Sequence, residues 1–252
     1  MEIWQIILLI FVGMMAGWLN VMAGGGSLLS VPVMLFMDIP APVANGTNRI
    51  AILAQNITAV YTFFRKGFSD FKLSLSLSLM ACIGAVGGAW VGVQLEGVWF
   101  NRLLAAVMIG VMITMATGKK MAHKTAEEEH PQNLVLGHLL MIGAGFWGGM
   151  IQIGVGFILM PILHRVIGFG LVRVNMYKVF VVLSYTIVAL AVFASQLQLM
   201  WWAGLGLALG NSMGGWYGAH STSPKGGVWI RGVFCVTRRA VVIRVLVFVL
   251  RI

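Results

Sequence analysis

The sequence predicts an all-α, polytopic helical membrane protein built from two homologous, inverted repeats, each interrupted by a broken or short half-helix. Three observations carry this expectation. Of the 252 residues, 60% are hydrophobic and only 10% charged, and the mean hydropathy is +0.94, whereas soluble domains carry roughly a quarter charged residues. Apolar runs recur along the whole chain, many near the ~20 residues that a helix needs to cross a bilayer. The second half also repeats, in order, the interruptions of the first.

Taken in order, the runs fall at 3–22, 27–37, 44–64, 73–92 and 99–116, and then at 134–153, 157–167, 174–194, 201–218 and 229–252. The first follows Met1-Glu2-Ile3-Trp4 and lacks both a basic start and a small-residue cleavage site, so it reads as an uncleaved span. The one long hydrophilic stretch, 117–133, contains Lys119, Lys120 and Glu127-Glu128-Glu129. It divides the chain into a first repeat at 1–118, a linker at 119–133 that reads as solvated, and a second repeat at 134–252. Trp4, Trp99, Trp201, Trp202 and Trp229 fall near span ends, where amphipathic rings anchor at an interface.

The repeat rests on two pairs of features. Gly24-Gly25-Gly26-Ser27-Leu28-Leu29-Ser30-Val31-Pro32 interrupts an apolar run, as does Ile153-Gly154-Val155-Gly156 through Pro161. Aligning Pro32 with Pro161 also sets Arg49 opposite Lys178. Later in each half comes a ladder of glycines four apart, at Gly84, Gly88 and Gly92 and at Gly206, Gly210, Gly214 and Gly218. Such ladders line one helix face and let a neighbouring backbone approach. The short elements 27–37 and 157–167 cannot cross as straight helices. If each completes a crossing, the halves are inverted; if each dips and returns, they are parallel. Inversion keeps Arg65, Lys66, Lys72, Lys119, Lys120, Lys124, Arg165, Arg173, Lys225 and Arg231 on the inner side, as the distribution of basic residues in such proteins favours, with Arg102 the one exception nearby.

The formal charge of +10 does not point to nucleic acid, because most of the basic residues sit in short loops between apolar runs. Cys82 and Cys235 lie in apolar stretches without metal-ligand spacing, and no nucleophile triad, zinc motif or dinucleotide fingerprint stands out. No enzymatic activity, cofactor or metal is expected; the expected partners are a small anionic substrate and membrane lipid.

The glycine breaks are the candidate site. A helix broken inside a membrane leaves backbone groups that only protein or a watery cavity can satisfy. The half-helix that follows starts with free N–H groups and a positive dipole end, which attract anions. Gly24, Gly25, Gly26, Gly154 and Gly156 are expected to offer backbone donors to a shared hollow, and Ser27 a cap or a donor. Every acidic residue, namely Glu2, Asp38, Asp70, Glu96, Glu127, Glu128 and Glu129, falls in an expected loop or at a span end. The interior therefore lacks the carboxylate that cation carriers use. It offers Asn45, Thr47, Asn48 and Arg49 in one half and Asn175 and Lys178 in the other, with Gln152 just before the second break. Arg49 and Lys178 either pair with a transported anion or snorkel to an interface. Gln152 either donates to a ligand or bonds a freed carbonyl. Gln55 and Asn56 bridge helices more readily than they line a pathway, and His138 is the one histidine placed near a span start where a proton path could use it.

The run from Gly17-Trp18-Leu19-Asn20 through Gly24-Gly25-Gly26-Ser27 to Pro32, with Ala44-Asn45-Gly46-Thr47-Asn48, resembles the first-repeat signature of the TauE/SafE sulfite-exporter family. Gly148-Gly149 through Pro161, then Asn175 and Lys178-Val179-Phe180, is similar to its second repeat. The resemblance implies a multi-pass permease of the cell membrane, in bacteria the inner membrane, that moves sulfite or organosulfonates by a secondary mechanism. Two departures stand out. The second break is Gly154-Val155-Gly156 rather than a run of glycines. The final segment carries Arg231, Arg238, Arg239, Arg244 and Arg251 where an apolar helix is expected. Alternating access is the expected mechanism, with a passive anion channel or a non-transporting scaffold subunit as the alternatives.

Overall fold

The computed structural model describes residues 2–67, 70–95, 97–117 and 132–221. Within them the chain forms α1 (Ile3–Ala23), α2 (Ser27–Phe36), α3 (Ala41–Arg65), α4 (Phe71–Gln94), α5 (Gly97–Thr117), α6 (Leu134–Met150), α7 (Val155–Pro161), α8 (Leu171–Gln196) and α9 (Trp201–Ser221). The last turn after α7, Ile162–Val166, widens to π-helical spacing beside Pro161, a residue whose ring and missing N–H disturb the regular ladder. Most of the linker and the Arg-rich run at 229–252 lie outside the described residues.

Local chemistry sets the ends. Glu2 and Gln5 close a reciprocal capping box that opens α1. Gly24 stops α1 in the left-handed conformation, φ +81°, and its N–H turns back to the carbonyls of Leu19 and Asn20. Pro40 and Pro42 open α3, where a missing N–H costs nothing. α6 ends at Met150, short of the expected 153, because Ile151 is extended and Gly154 takes φ +75° to turn the chain into α7. α2 has 10 residues, about 15 Å at the α-helical rise, half of a hydrocarbon core of about 30 Å.

The glycine ladders decide the packing. A Cβ on Gly84, Gly88 or Gly92 would fall 1.9, 1.9 and 2.3 Å from the carbonyl oxygens of Ile142, Phe146 and Met150. The backbone of α4 therefore lies directly on that of α6, and the two run parallel. In the same way Gly206, Gly210, Gly214 and Gly218 of α9 climb past Ile6, Ile10, Met14 and Val21 of α1, again in parallel. Thus the first helix of each half packs on the third long helix of the other. α3 also lies on α9 and α8 on α4, while α3 and α8 meet each other at the centre.

The polarity of the bundle is inside out. Ile3, Ile7, Phe11, Leu75, Leu79, Ile83, Leu139, Leu205, Leu209 and Trp216 are exposed, while Asn45, Thr47, Asn48, Arg49, Gln55, Asn175, Lys178, Thr186 and Asn211 are buried. Water would reverse this arrangement, and lipid requires it. Three helices, Ile3–Met22, Phe71–Gln94 and Leu171–Gln196, are long and apolar enough to cross a membrane among the described residues. The chain is a helical membrane protein.

Candidate functional site

The two glycine breaks meet. A Cβ built on Gly24 would lie 2.4 Å from the Gly156 Cα, and one built on Gly156 would lie 2.2 Å from the Gly24 Cα. The two half-helices α2 and α7 therefore start beside each other, one from each half, in backbone contact. Sequence reasoning expects a hollow between the breaks; here the crossing is closed, with no room even for a methyl group. The amide of Gly24 is already bonded within the end of α1. Those of Gly25, Gly26 and Ser27, and of Gly154, Val155 and Gly156, have no backbone acceptor among the described residues. They are the ordinary unsatisfied donors of a helix start, held in the buried middle of the protein.

Ser27 does not cap α2, whose N-cap is Gly26. Its Oγ instead accepts from Asn48 Nδ2 at 3.1 Å, while Ser30 Oγ donates to Asn48 Oδ1 at 2.6 Å. This buried trio ties the first turn of α2 to α3. Thr47 Oγ1 accepts the Met200 N–H at 3.2 Å, joining α3 to the start of α9.

Arg49 is fully buried and addresses the end of α6. Its Nη1 donates to Gly148 O at 2.9 Å and to Gln152 Oε1 at 3.3 Å, and its Nη2 donates to Gly149 O. The guanidinium also stands 4.4 Å over the Phe193 ring, a favourable cation–π placement. Asn45 Nδ2 takes the next carbonyl, Met150 O, at 2.9 Å. Gln152 neither reaches a freed carbonyl nor stands free; it passes the contact on, donating Nε2 to Tyr185 OH at 3.1 Å. Lys178 does in the other half what Arg49 does in the first. Its Nζ donates to Val21 O at 2.7 Å and Asn20 O at 3.1 Å, at the end of α1, and to Asn175 Oδ1 at 2.9 Å. Neither cation snorkels, and each rests on the negative C-terminal end of a broken helix.

Tyr185, Asn20 and Ser30 also belong to this constellation; Asn20 and Ser30 lie inside the first-repeat motif without a role assigned to them, and Tyr185 lies in no motif. Gln55 bridges helices as expected, accepting from Asn20 Nδ2 at 2.9 Å. Asn56 bonds the Ile52 carbonyl of its own helix. His138 sits with Ser76 at 2.7 Å on the α4–α6 contact, away from the crossing.

The electrostatics are one-sided. Buried polar and charged side chains among the described residues include Arg49 and Lys178 but no Asp or Glu. Buried groups without a hydrogen-bond partner include the donors Arg49 Nε, Gln55 Nε2 and Asn175 Nδ2 and the acceptors Asn45 Oδ1 and Asn211 Oδ1. The buried formal charge among the described residues is therefore positive.

The chain matches the family described as Sulfite exporter TauE/SafE over residues 9–245. It belongs to the TauE/SafE family. The match takes in much of the Arg-rich final segment. "Probable membrane transporter protein ORF9" of Sinorhizobium sp is 26% identical over 92% of this chain and 88% of its own length. A "Probable membrane transporter protein" of Haemophilus influenzae is 22% identical over 89% and 88%. "Probable membrane transporter protein YfcA" of Escherichia coli K12 is 24% identical over 88% and 82%. No solved structure matches. TauE/SafE proteins are a membrane transporter family and not a class of enzymes.

Proposed function

We propose that this TauE/SafE protein is a secondary permease for a small sulfur-containing anion, such as sulfite or an organosulfonate, working by alternating access. One observation carries the reading. The amide-bearing starts of two half-helices, one from each half, adjoin in the buried centre near two cations, and no buried carboxylate is found among the described residues. Oxyanions are bound by free N–H groups at helix starts, where the dipole is positive. Paired discontinuous helices at the interface of two repeats are the usual setting of such a site.

The repeats are 1–118 and 134–252, joined by the linker 119–133, and they lie inverted in the membrane. The parallel runs of α1 with α9 and of α4 with α6, and the opposed runs of α3 and α8, support inversion. The contact between Gly24 and Gly156 belongs to an occluded state. Rocking one half against the other parts them and admits the anion to the free amides of Gly25, Gly26, Ser27, Gly154 and Gly156. Arg49 and Lys178 supply positive potential, and Asn45, Thr47, Asn48, Gln152 and Asn175 hold the surrounding backbone. The protein resides in the cell membrane as a multi-pass protein, in bacteria the inner membrane.

The test is reconstitution of the purified chain into liposomes with radiolabelled sulfite or a sulfonate. Saturable flux with accelerated exchange from the opposite side is the expected result. Current that rises linearly with voltage and never saturates identifies a channel instead. No flux of any small anion identifies a scaffold subunit.

A further inference from the structure

Lys178 and Arg49 hold matching places in the two halves, and each lands on the broken helix of the opposite half. An ammonium group has three N–H bonds. Those of Lys178 are taken up by Asn20 O, Val21 O and Asn175 Oδ1, which leaves none for a ligand. The side chain is 2% exposed. The two carbonyls belong to the last turn of α1, immediately before Gly24, so they carry the negative end of that helix. Arg49 differs in one respect. Two of its nitrogens hold the end of α6, while its buried Nε–H has no acceptor.

We infer that Lys178 is a positioning residue that clamps the end of α1 from the opposite half, fixing the Gly24–Gly26 break against Gly156, and is not a ligand of the transported anion. The clamp stands on geometry alone, and its consequence for flux rests on the permease reading. An anion could reach the ammonium only by displacing Asn20 O and Val21 O; the first still accepts the Gly24 N–H, while the membrane interior offers the second no other donor. Removing the ammonium strips the Val21 carbonyl of its partner, takes one of two donors from Asn20 O, and loosens a segment 157 residues away in sequence.

Hydrogen exchange in detergent, read by mass spectrometry, tests the clamp without any substrate. Lys178→Met should speed exchange of the amides of 20–29 at least tenfold and leave those of α4 unchanged. Lys178→Arg, which can still donate to several carbonyls, should restore protection. In liposomes Lys178→Met should lower the maximal sulfite flux per reconstituted molecule at least tenfold, with KM within twofold of the unaltered protein, and Lys178→Arg should recover the rate. Unchanged exchange at 20–29 in Lys178→Met overturns the clamp, and so does a tenfold higher KM with protection intact. If Lys178→Met does not accumulate, Lys178→Gln, whose amide keeps two N–H groups, should show smaller changes of the same sign; none at 20–29 overturns the clamp. Absence of sulfite flux in the unaltered protein refutes the substrate reading, and the exchange result still decides the clamp.

Discussion

At the scale of single residues, the decisive positions are those with no side chain. Gly24 combines a left-handed φ of +81° with a neighbour that is itself glycine. Alanine there meets two penalties, about 1–2 kcal/mol for the conformation and a clash with backbone that cannot yield. Gly156→Ala meets the clash alone. Both variants should lower the thermal unfolding temperature in detergent, Gly24→Ala more. Gly143→Ala, where a Cβ would meet nothing within 4 Å, should leave it unchanged or slightly raised through better helix propensity. The breaks are legible in the sequence because glycine runs stand out against apolar residues. Their mutual contact is not, since a residue without a side chain carries no mark of its partner. The match of Arg49 with Lys178 is visible through the proline alignment. What they hold was hidden, because backbone carbonyls have no letter in a sequence.

At the scale of elements, the ladders turn helix faces into backbone interfaces. Gly88 faces α6, with a Cβ position 1.9 Å from Phe146 O, whereas Gly87 on the next face meets only the Phe146 ring at 3.7 Å. Gly88→Val should therefore abolish folded protein on size-exclusion chromatography, and Gly87→Ala should elute as the unaltered chain. The trio of Ser27, Ser30 and Asn48 contributes less, since hydrogen bonds between membrane helices average about 0.6 kcal/mol. Asn48→Ala should cost only a few degrees of unfolding temperature. Helix positions were readable to within a few residues from hydropathy and proline, as α2 and α4 illustrate. The early end of α6 was not, because Ile151 and Ile153 continue an apolar run while the backbone has already turned towards Gly154. Nor could the ladders name their partners: glycine spacing states that something comes close, and only the fold shows that α4 takes α6 and α9 takes α1.

At the scale of the whole molecule, an apolar exterior encloses an interior whose buried ionic charges are cationic among the described residues. One end of the contact between the halves is reinforced by Tyr177, which donates to Asp70, with Arg173 at 3.8 Å from the same carboxylate. Because both partners of that ion pair are substantially exposed, it adds little stability. Cohesion comes instead from the close-packed helix pairs that join one half to the other.

The pairing of α1 with α9 has a consequence for biogenesis. A ribosome threads α1 into the bilayer well before α9, so the glycine-seated partner of α1 does not exist until α9 has been made. Until then Gly13 and Gly17 face lipid, and the membrane insertion machinery must tolerate an unfinished protein. The pairing also makes the covalent link between the halves dispensable in principle. Residues 1–118 and 119–252, made as two polypeptides in one cell, should co-purify through a tag on either piece, and each made alone should be degraded.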